Sequence, residues 1–300
     1  MFNESRIIHG LMRLSDVSEE QLYDLIQFDL AHGITFFDIA DCYGNGASET
    51  KLGNVLEAHP ELREKMFIQS KCSIVRSPYM RSYYDLSYQH IIEAVDASLA
   101  RLKTDHLDCL LLHRPDLFIN DEEVKKAFEE LHAQGKVHYF GVSNFSKELM
   151  QYLLDAGIPM EANQVQLGLG HARLVQEVAN FNLDNPYAPS TTEDTYFFMK
   201  RKHIRLQAWS PYQVGFFGGS LFNPELAPEL NKLMDELCEK YQTSKCALAT
   251  AWILRLWKGI SVITGSMNKD HIQEALDGAK LEITKEDWYR LYRATQAPLP

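Results

Sequence analysis

Short runs of continuously apolar, β-rich sequence recur along the chain: "RIIHGLMRL", "ITFFDIA", "MFIQSKC", "LDCLLLH", "VHYFGVSNF", "EANQVQL", "RLQAWS" and "ISVITGS". Runs that are apolar at several successive positions, as most of these are, belong to strands buried on both faces, as in a parallel sheet covered by helices. Between most of them the pattern changes to a spacing of three to four, as in "SEEQLYDLIQFDLAHG", where Leu22, Leu25, Ile26 and Leu30 share a face and Gly33 marks the stop. The same grammar predicts helices over "ASETKLGNVLEAH", over "SYQHIIEAVDASLARL" with Ser87 as N-cap, over "DEEVKKAFEELHAQG" ending at Gly135, and over "SKELMQYLLDAG" ending at Gly157.

Eight strand–helix units in 300 residues without a linker favour a single α/β domain over residues 1–300, folded as a (β/α)8 TIM barrel. An open Rossmann-like sheet is the runner-up. Two stretches break the repeat. One is "SIVRSPYMRSYYDLS", read as a long aromatic loop. The other is "PYQVGFFGGSLFNPELAPEL", followed by an extra helix from Leu230 to Tyr241 before the expected one from Lys245 to Leu256; a further helix is expected at the C-terminus. In a barrel both loops follow a strand and so fall at the end that carries catalytic residues.

Charge and cysteine content narrow the classes. The net charge of −11, from 30 basic and 41 acidic residues, argues against a nucleic-acid or anionic-membrane surface. Cys42, Cys72, Cys109, Cys238 and Cys246 are scattered, with no CxxC pair and no histidine at metal-ligand spacing, so they read as reduced thiols and no metal is expected. The N-terminus lacks the layout of a signal peptide, and no run approaches the roughly 18 apolar residues of a membrane span. A soluble cytoplasmic protein is the expectation; no feature sets an oligomeric state.

The strand exits carry the candidate chemistry: Asp38 and Tyr43 after the second run, Lys71 after the third, His113 after the fourth, Ser143 and Asn144 after the fifth, Gln164 in the sixth, and Trp209 and Ser210 after the seventh. Each alone reads equally well as a cap or a structural side chain. Asp, Tyr, Lys and His converging on one barrel mouth form a proton-transfer set. An ammonium beside a phenol lowers its pKa, a carboxylate holds the ammonium, and an imidazole hydrogen-bonds a carbonyl oxygen. Carbonyl reduction needs such a set. A metal-dependent barrel hydrolase would need more ligands than His113 and Asp38 and is set aside.

"FDIADCYGNGASE", "QSKC", "LLLHRPD", "GVSNF", "NQVQL" and "AWSP" stand in the order and spacing of the aldo-keto reductase family, and the chain resembles the bacterial oxidoreductase branch of that family over nearly its whole length. The resemblance implies a catalytic tetrad of Asp38, Tyr43, Lys71 and His113. Tyr43 would be the proton donor, Lys71 would depress its pKa, Asp38 would anchor Lys71, and His113 would orient the substrate carbonyl. Gly44 and Gly46 would let the turn swing Tyr43 over Asp38.

No GxGxxG follows a strand, "LGLGHAR" and "YGNGASE" both failing the pattern. The resemblance implies instead an NADPH (NADP+) cofactor lying across the barrel mouth. Gly10, Leu11, Met12 and Asp38 would lie near its nicotinamide, with Ser143, Asn144 and Gln164 on the carboxamide and Trp209 stacked on the ring. Ser210, Pro211, Tyr212 and the Gly218–Gly219 pair would cover the pyrophosphate. Gly265, Ser266, Met267, Asn268, Lys269, His271 and Glu274, in and after "TGSMNKDHIQEA", would take the adenosine end at a helix N-terminus. Many relatives carry lysine at the position of Gly265 and arginine at that of His271, so the implied preference for NADPH over NADH comes with reduced discrimination.

Family members commonly begin with a small hairpin that plugs the barrel bottom, whereas the first strand is expected here at about Arg6, leaving "MFNES" or a neighbouring subunit as candidate covers. The substrate implied is a small-molecule aldehyde or ketone. Tyr79, Tyr83, Tyr84, Phe216, Phe217 and Phe222 suggest an apolar or aromatic one, and Arg13, Arg76 and Arg114 are candidate contacts for an acid group. The tail "ATQAPLP" is a candidate closing segment. The second function class is a cofactor-binding regulatory subunit with little turnover, like the channel-associated members of the family.

Overall fold

The fold is described from a computed structural model that covers residues 2, 5–79, 82–179, 195–215 and 218–295. Phe216, Phe217, most of "MFNES" and residues 296–300 of the tail lie outside the described residues. In chain order the elements are β1 (Ile7–Gly10), α1 (Glu19–Ala31), β2 (Phe36–Asp38), α2 (Ala47–Ala58), β3 (Phe67–Cys72), β4 (Ile74–Arg76), β5 (Ser82–Tyr84), α3 (Tyr88–Leu102), β6 (Leu107–Leu112), α4 (Asp121–Ala133), β7 (Val137–Ser143), α5 (Lys147–Asp155) and β8 (Ala162–Gln166). There follow α6 (Arg173–Ala179), α7 (Thr195–Lys202), β9 (Arg205–Trp209), α8 (Pro228–Tyr241), α9 (Lys245–Leu254), β10 (Ile260–Thr264), α10 (Lys269–Lys280) and α11 (Lys285–Ala294).

All eight expected strands form, and they close a parallel barrel in the order β1-β10-β9-β8-β7-β6-β3-β2. That order is the chain order, with β4 and β5 set apart, as consecutive right-handed β/α units require. Helix ends follow local chemistry: Ser18 closes a capping box with Gln21, and Ser87 accepts from the backbone N–H of His90. The aromatic loop after β3 differs from the expectation. Its flanks pair as an antiparallel hairpin, with Ile74 opposite Tyr84 and Arg76 opposite Ser82, because "IVR" and "SYY" have the β-branched and aromatic content of strands. The helix expected to reach Leu256 ends at Leu254, and the one expected from Leu230 starts at Pro228, where proline suits the first turn.

Internal contacts divide the chain into two compact units, residues 1–164 with 265–269 and residues 165–264 with 270–300. In the first, Phe2 is 8% exposed and meets the rings of Phe36, Phe67 and Tyr139 edge-on at 5.9, 5.5 and 5.6 Å. Phe36 and Phe67 open β2 and β3, so Phe2, from the "MFNES" segment offered as a candidate cover, seals the N-terminal ends of these strands. In the second unit, the rings of Trp252 and Trp288 stack at 4.9 Å, and each indole N–H donates to the other residue's carbonyl, at 3.1 and 2.8 Å. This reciprocal pair locks α9 to α11. Among the described residues no helix is long and apolar enough to cross a membrane.

Candidate active site

β2 ends at Asp38, and the backbone continues its pairing with β3 through Ile39 N–H to the Gln69 carbonyl and Asp41 N–H to that of Lys71. The chain then turns sharply, with Gly44, Asn45 and Gly46 at φ of 58°, 57° and 89°. These left-handed conformations favour glycine, and they bring Tyr43 back over the strand it has just left. Glu49, fully buried at the end of the same motif, accepts from Ser70 at 2.6 Å and from Arg101 at 2.8 Å. A Cβ on Gly46 would stand 2.9 Å from the Arg101 side chain. The turn is thus braced from below by a buried ion pair.

Gln69 and Lys71 project from the same face of β3, as a period of two requires. Lys71 is fully buried, and its Nζ donates to Asp38 Oδ2 at 2.8 Å, to the Ile39 carbonyl at 2.7 Å and to the Tyr43 hydroxyl at 3.1 Å. An ammonium has three hydrogens, and all three are used. Asp38 Oδ1 accepts in addition from Gln69 at 2.7 Å and Gln164 at 2.9 Å. Burial pulls the Lys71 ammonium down, but Asp38 and Tyr43 more than offset this and hold it above its ordinary value. For Tyr43 burial is the larger effect: it pushes the phenol up to about 12 although Lys71 pulls it down. The expected lowering by Lys71 is present, and desolvation outweighs it.

His113 packs edge-on against the Tyr43 ring, centroids 5.9 Å apart. Burial, with the charges of Lys71 and Arg114, holds its pKa well below the ordinary value, so the ring is neutral. Its Nδ1 lies 3.7 Å from Cys42 Sγ. Burial and the Asp41 charge push that thiol up to about 11, and burial, with Glu49 second, pushes the Asp41 carboxyl up to about 7.

At the exit of β7, Ser143 Oγ donates to the Gln164 carbonyl at 2.9 Å and accepts from Asn144 at 2.8 Å. Asn144 sits at φ 60°, a strained conformation of the kind concentrated at functional sites. Gly10 pairs with Asp38 across β1 and β2, Leu11 is buried, and Met12 is 42% exposed. Arg13 donates to the Gly265 carbonyl at 3.2 Å, and the Ser266 carbonyl lies 3.1 Å from His9, whose other ring nitrogen meets the buried Asp29. Asn268 N–H donates to Ser266 Oγ, Lys269 reaches Asp24 at 3.5 Å, and Met267 is half-buried between them. The first unit therefore brings together the four tetrad positions, Ser143, Asn144 and Gln164.

The second unit carries Trp209, Ser210 at φ 46°, buried Pro211, and Tyr212, whose hydroxyl bonds Thr250 at 2.6 Å. Glu274 is half-buried and His271 exposed on α10. The segment after β9 packs closely against the glycines of "LGLG", a run that fails the dinucleotide pattern. A Cβ on Gly168 would stand 2.3 Å from the Pro211 carbonyl oxygen, and one on Gly170 2.2 Å from that of Gln213. "LGLG" thus marks a close backbone approach. Sequence reasoning also missed Gln69, the second amide on Asp38, whose signal was a polar residue two positions before Lys71 inside an apolar strand. Tyr79 is 94% exposed, Tyr83 and Tyr84 lie on the exposed hairpin, and Phe222 packs against Tyr212 at 5.7 Å.

A closed parallel barrel with a buried lysine joining an aspartate to a tyrosine at one strand exit is the architecture of an oxidoreductase of the aldo/keto reductase family, and the chain belongs to that family, whose sequence profile matches residues 6–295. Among its relatives, an uncharacterized oxidoreductase of Bacillus subtilis, YcsN, is 33% identical over 97% of this chain and 94% of that protein. The oxidoreductase YdhF of Escherichia coli is 34% identical over 97% and 93%, and a 6-dehydroglucose reductase of Agrobacterium fabrum is 34% identical over 96% and 93%. The crystal structure of a thermostable aldo-keto reductase bound to the inhibitor epalrestat has the same fold, at a TM-score of 0.75 and 21% identity over 97% of this chain and 95% of that one.

Proposed function

We propose that the protein reduces an aldehyde or ketone to an alcohol with NADPH, and that Tyr43 donates the proton. The observation that carries this reading is the placement of the hydrogens on Lys71. With its three N–H groups committed to Asp38, Ile39 and Tyr43, the phenol oxygen accepts from the ammonium and its own hydrogen is left to point elsewhere. Among the described residues the Tyr43 hydroxyl has no second partner, so a carbonyl oxygen is the acceptor the arrangement suits. Lys71 then stays charged and stabilises the phenolate as it forms, and Asp38, fixed by two amides, keeps Lys71 in register. A protonated Cys42 thiol donating to His113 Nδ1 leaves the imidazole hydrogen on Nε2, a second donor for the same oxygen.

A nicotinamide held there would supply hydride to the carbonyl carbon. The donor set suits such a group: a carboxamide both donates and accepts, and Asn144 and Gln164 are side-chain amides that do the same. Ser143 holds the Asn144 amide and the Gln164 backbone carbonyl, while the Gln164 amide is itself fixed by donating to Asp38. Ser266, Asn268 and Lys269 stand at the start of α10, and a helix N-terminus favours a phosphate. The 6-dehydroglucose reductases among the relatives make a sugar aldehyde the first carbonyl to try beside an aromatic one.

Turnover with NADPH and with NADH, alongside nucleotide affinity by fluorescence, tests the proposal. Tyr43→Phe is expected to lose at least about a hundredfold in kcat while binding nucleotide as the native protein does. Lys269→Ala is expected to weaken NADPH and spare NADH. Retained turnover in Tyr43→Phe would remove the proton-donor role, and equal affinities for the two nucleotides would remove the preference.

A further inference from the structure

We propose that Asp41, Cys42 and His113 form a binding site for one divalent ion of the zinc type, on the turn that carries Tyr43. Ligands 71 positions apart leave no spacing motif, so only the fold brings them together. A tetrahedral ion with sulfur at about 2.3 Å and nitrogen at about 2.0 Å holds those two atoms about 3.6 Å apart. Cys42 Sγ and His113 Nδ1 are 3.7 Å apart, and ligand atoms of all three residues lie within 4.8 Å of one another. The independent observation is Asp41 Oδ1, an oxygen shielded from solvent on a half-buried side chain, which has no hydrogen-bond partner. A buried carboxylate oxygen without a partner is costly, and a cation is the partner that removes the cost.

The chemistry selects the ion. A thiolate, an imidazole and a carboxylate favour zinc and cobalt over magnesium or calcium. Binding forms metal–sulfur, metal–nitrogen and metal–oxygen bonds, breaks the S–H bond of Cys42 and the O–H bond of Asp41 where that carboxyl is protonated, and releases those protons to solvent with nothing oxidised or reduced; it replaces the Cys42–His113 hydrogen bond and leaves the imidazole hydrogen on Nε2. Two anionic ligands then balance the dication. Three protein ligands leave one position open for water. Among the described residues the rival group is His106, Asp108 and His138, but it has no sulfur, and Asp108 already accepts from Arg63 and the Ile68 N–H, at 2.9 and 2.8 Å.

The test is a titration of the whole protein, without nucleotide, with Co2+, read by the thiolate-to-cobalt charge-transfer band in the near ultraviolet. The band is expected to saturate at one equivalent and to bleach when Zn2+ is added. Cys42→Ser is expected to abolish it, and the isosteric Asp41→Asn to weaken binding about tenfold or more. Tyr43→Phe is expected to keep the band while losing turnover, so this site and the proton-donor role fail separately. No band at saturating Co2+, a band that survives Cys42→Ser, or cobalt binding without a band that is lost in His138→Ala would each overturn the proposal.

Discussion

At the scale of single residues, the arrangement around Lys71 separates two properties that a lysine–tyrosine pair is usually asked to combine. Burial raises the Tyr43 phenol to about 12, while the ammonium beneath it stabilises the phenolate without bringing its pKa near neutrality. As the proposed acid in reduction, Tyr43 would have to be protonated, and it loses its proton only as the pH rises toward that value. His113 is neutral well below its ordinary titration range. The rate of reduction at saturating nucleotide is therefore expected to be level from about pH 6 to pH 9, and a fall centred near pH 6.5 that persists in Asp41→Asn would assign an unshifted histidine, not Asp41, to the step. The tetrad positions were legible because tyrosine, lysine, aspartate and histidine are conspicuous at the ends of apolar strands. Gln69 and the Asp41–Cys42–His113 group were not, because each depends on register or on side chains brought together across 31 and 71 positions.

At the scale of elements, strands and helix starts could be read because their causes are local: apolar runs, Ser87 as a cap, acids in the first turn of α4. Close approaches could not be. The glycines at 168 and 170 owe their identity to carbonyls at 211 and 213, and nothing in "LGLGHAR" announces that partner. The start of α11 shows how much one local motif can concentrate. Asp287, 2% exposed, accepts from Thr284, Lys240, Tyr241 and Arg290. Burial opposes its ionisation, but these bonds prevail and hold its pKa below the ordinary carboxylate value. The folded state thus binds this proton less readily than the unfolded chain, so the stabilisation is present above about pH 4 and is lost as the pH falls through the depressed folded value. Asp287→Asn is expected to lower Tm at pH 7 and to flatten the acid side of the Tm–pH curve. An unchanged curve would show that the neighbouring carboxylates carry the acid sensitivity.

At the scale of the whole molecule, barrel closure follows from eight units of one grammar, while the seal at its base rests on a residue with no pattern around it. Phe2 lies among three aromatic rings, and Phe2→Ala is expected to cost about 3 kcal/mol, measured by denaturant midpoint, without loss of nucleotide affinity. We further propose that the chain unfolds as a single domain. One calorimetric transition whose van't Hoff and calorimetric enthalpies agree is the expected result; two resolved transitions would make the compact units separate domains.

The Trp252–Trp288 pair has an optical consequence. Two indoles held parallel within 3° at 4.9 Å couple their electronic transitions, and the fixed N–H bonds at both ends keep the coupling from averaging out. The pair, held rigid in a chiral surrounding, should give a near-ultraviolet circular dichroism signal that changes in Trp288→Phe. Its loss on heating would time the parting of α9 from α11 separately from the far-ultraviolet signal of the helices, so the second unit carries its own built-in chromophore for following when it opens.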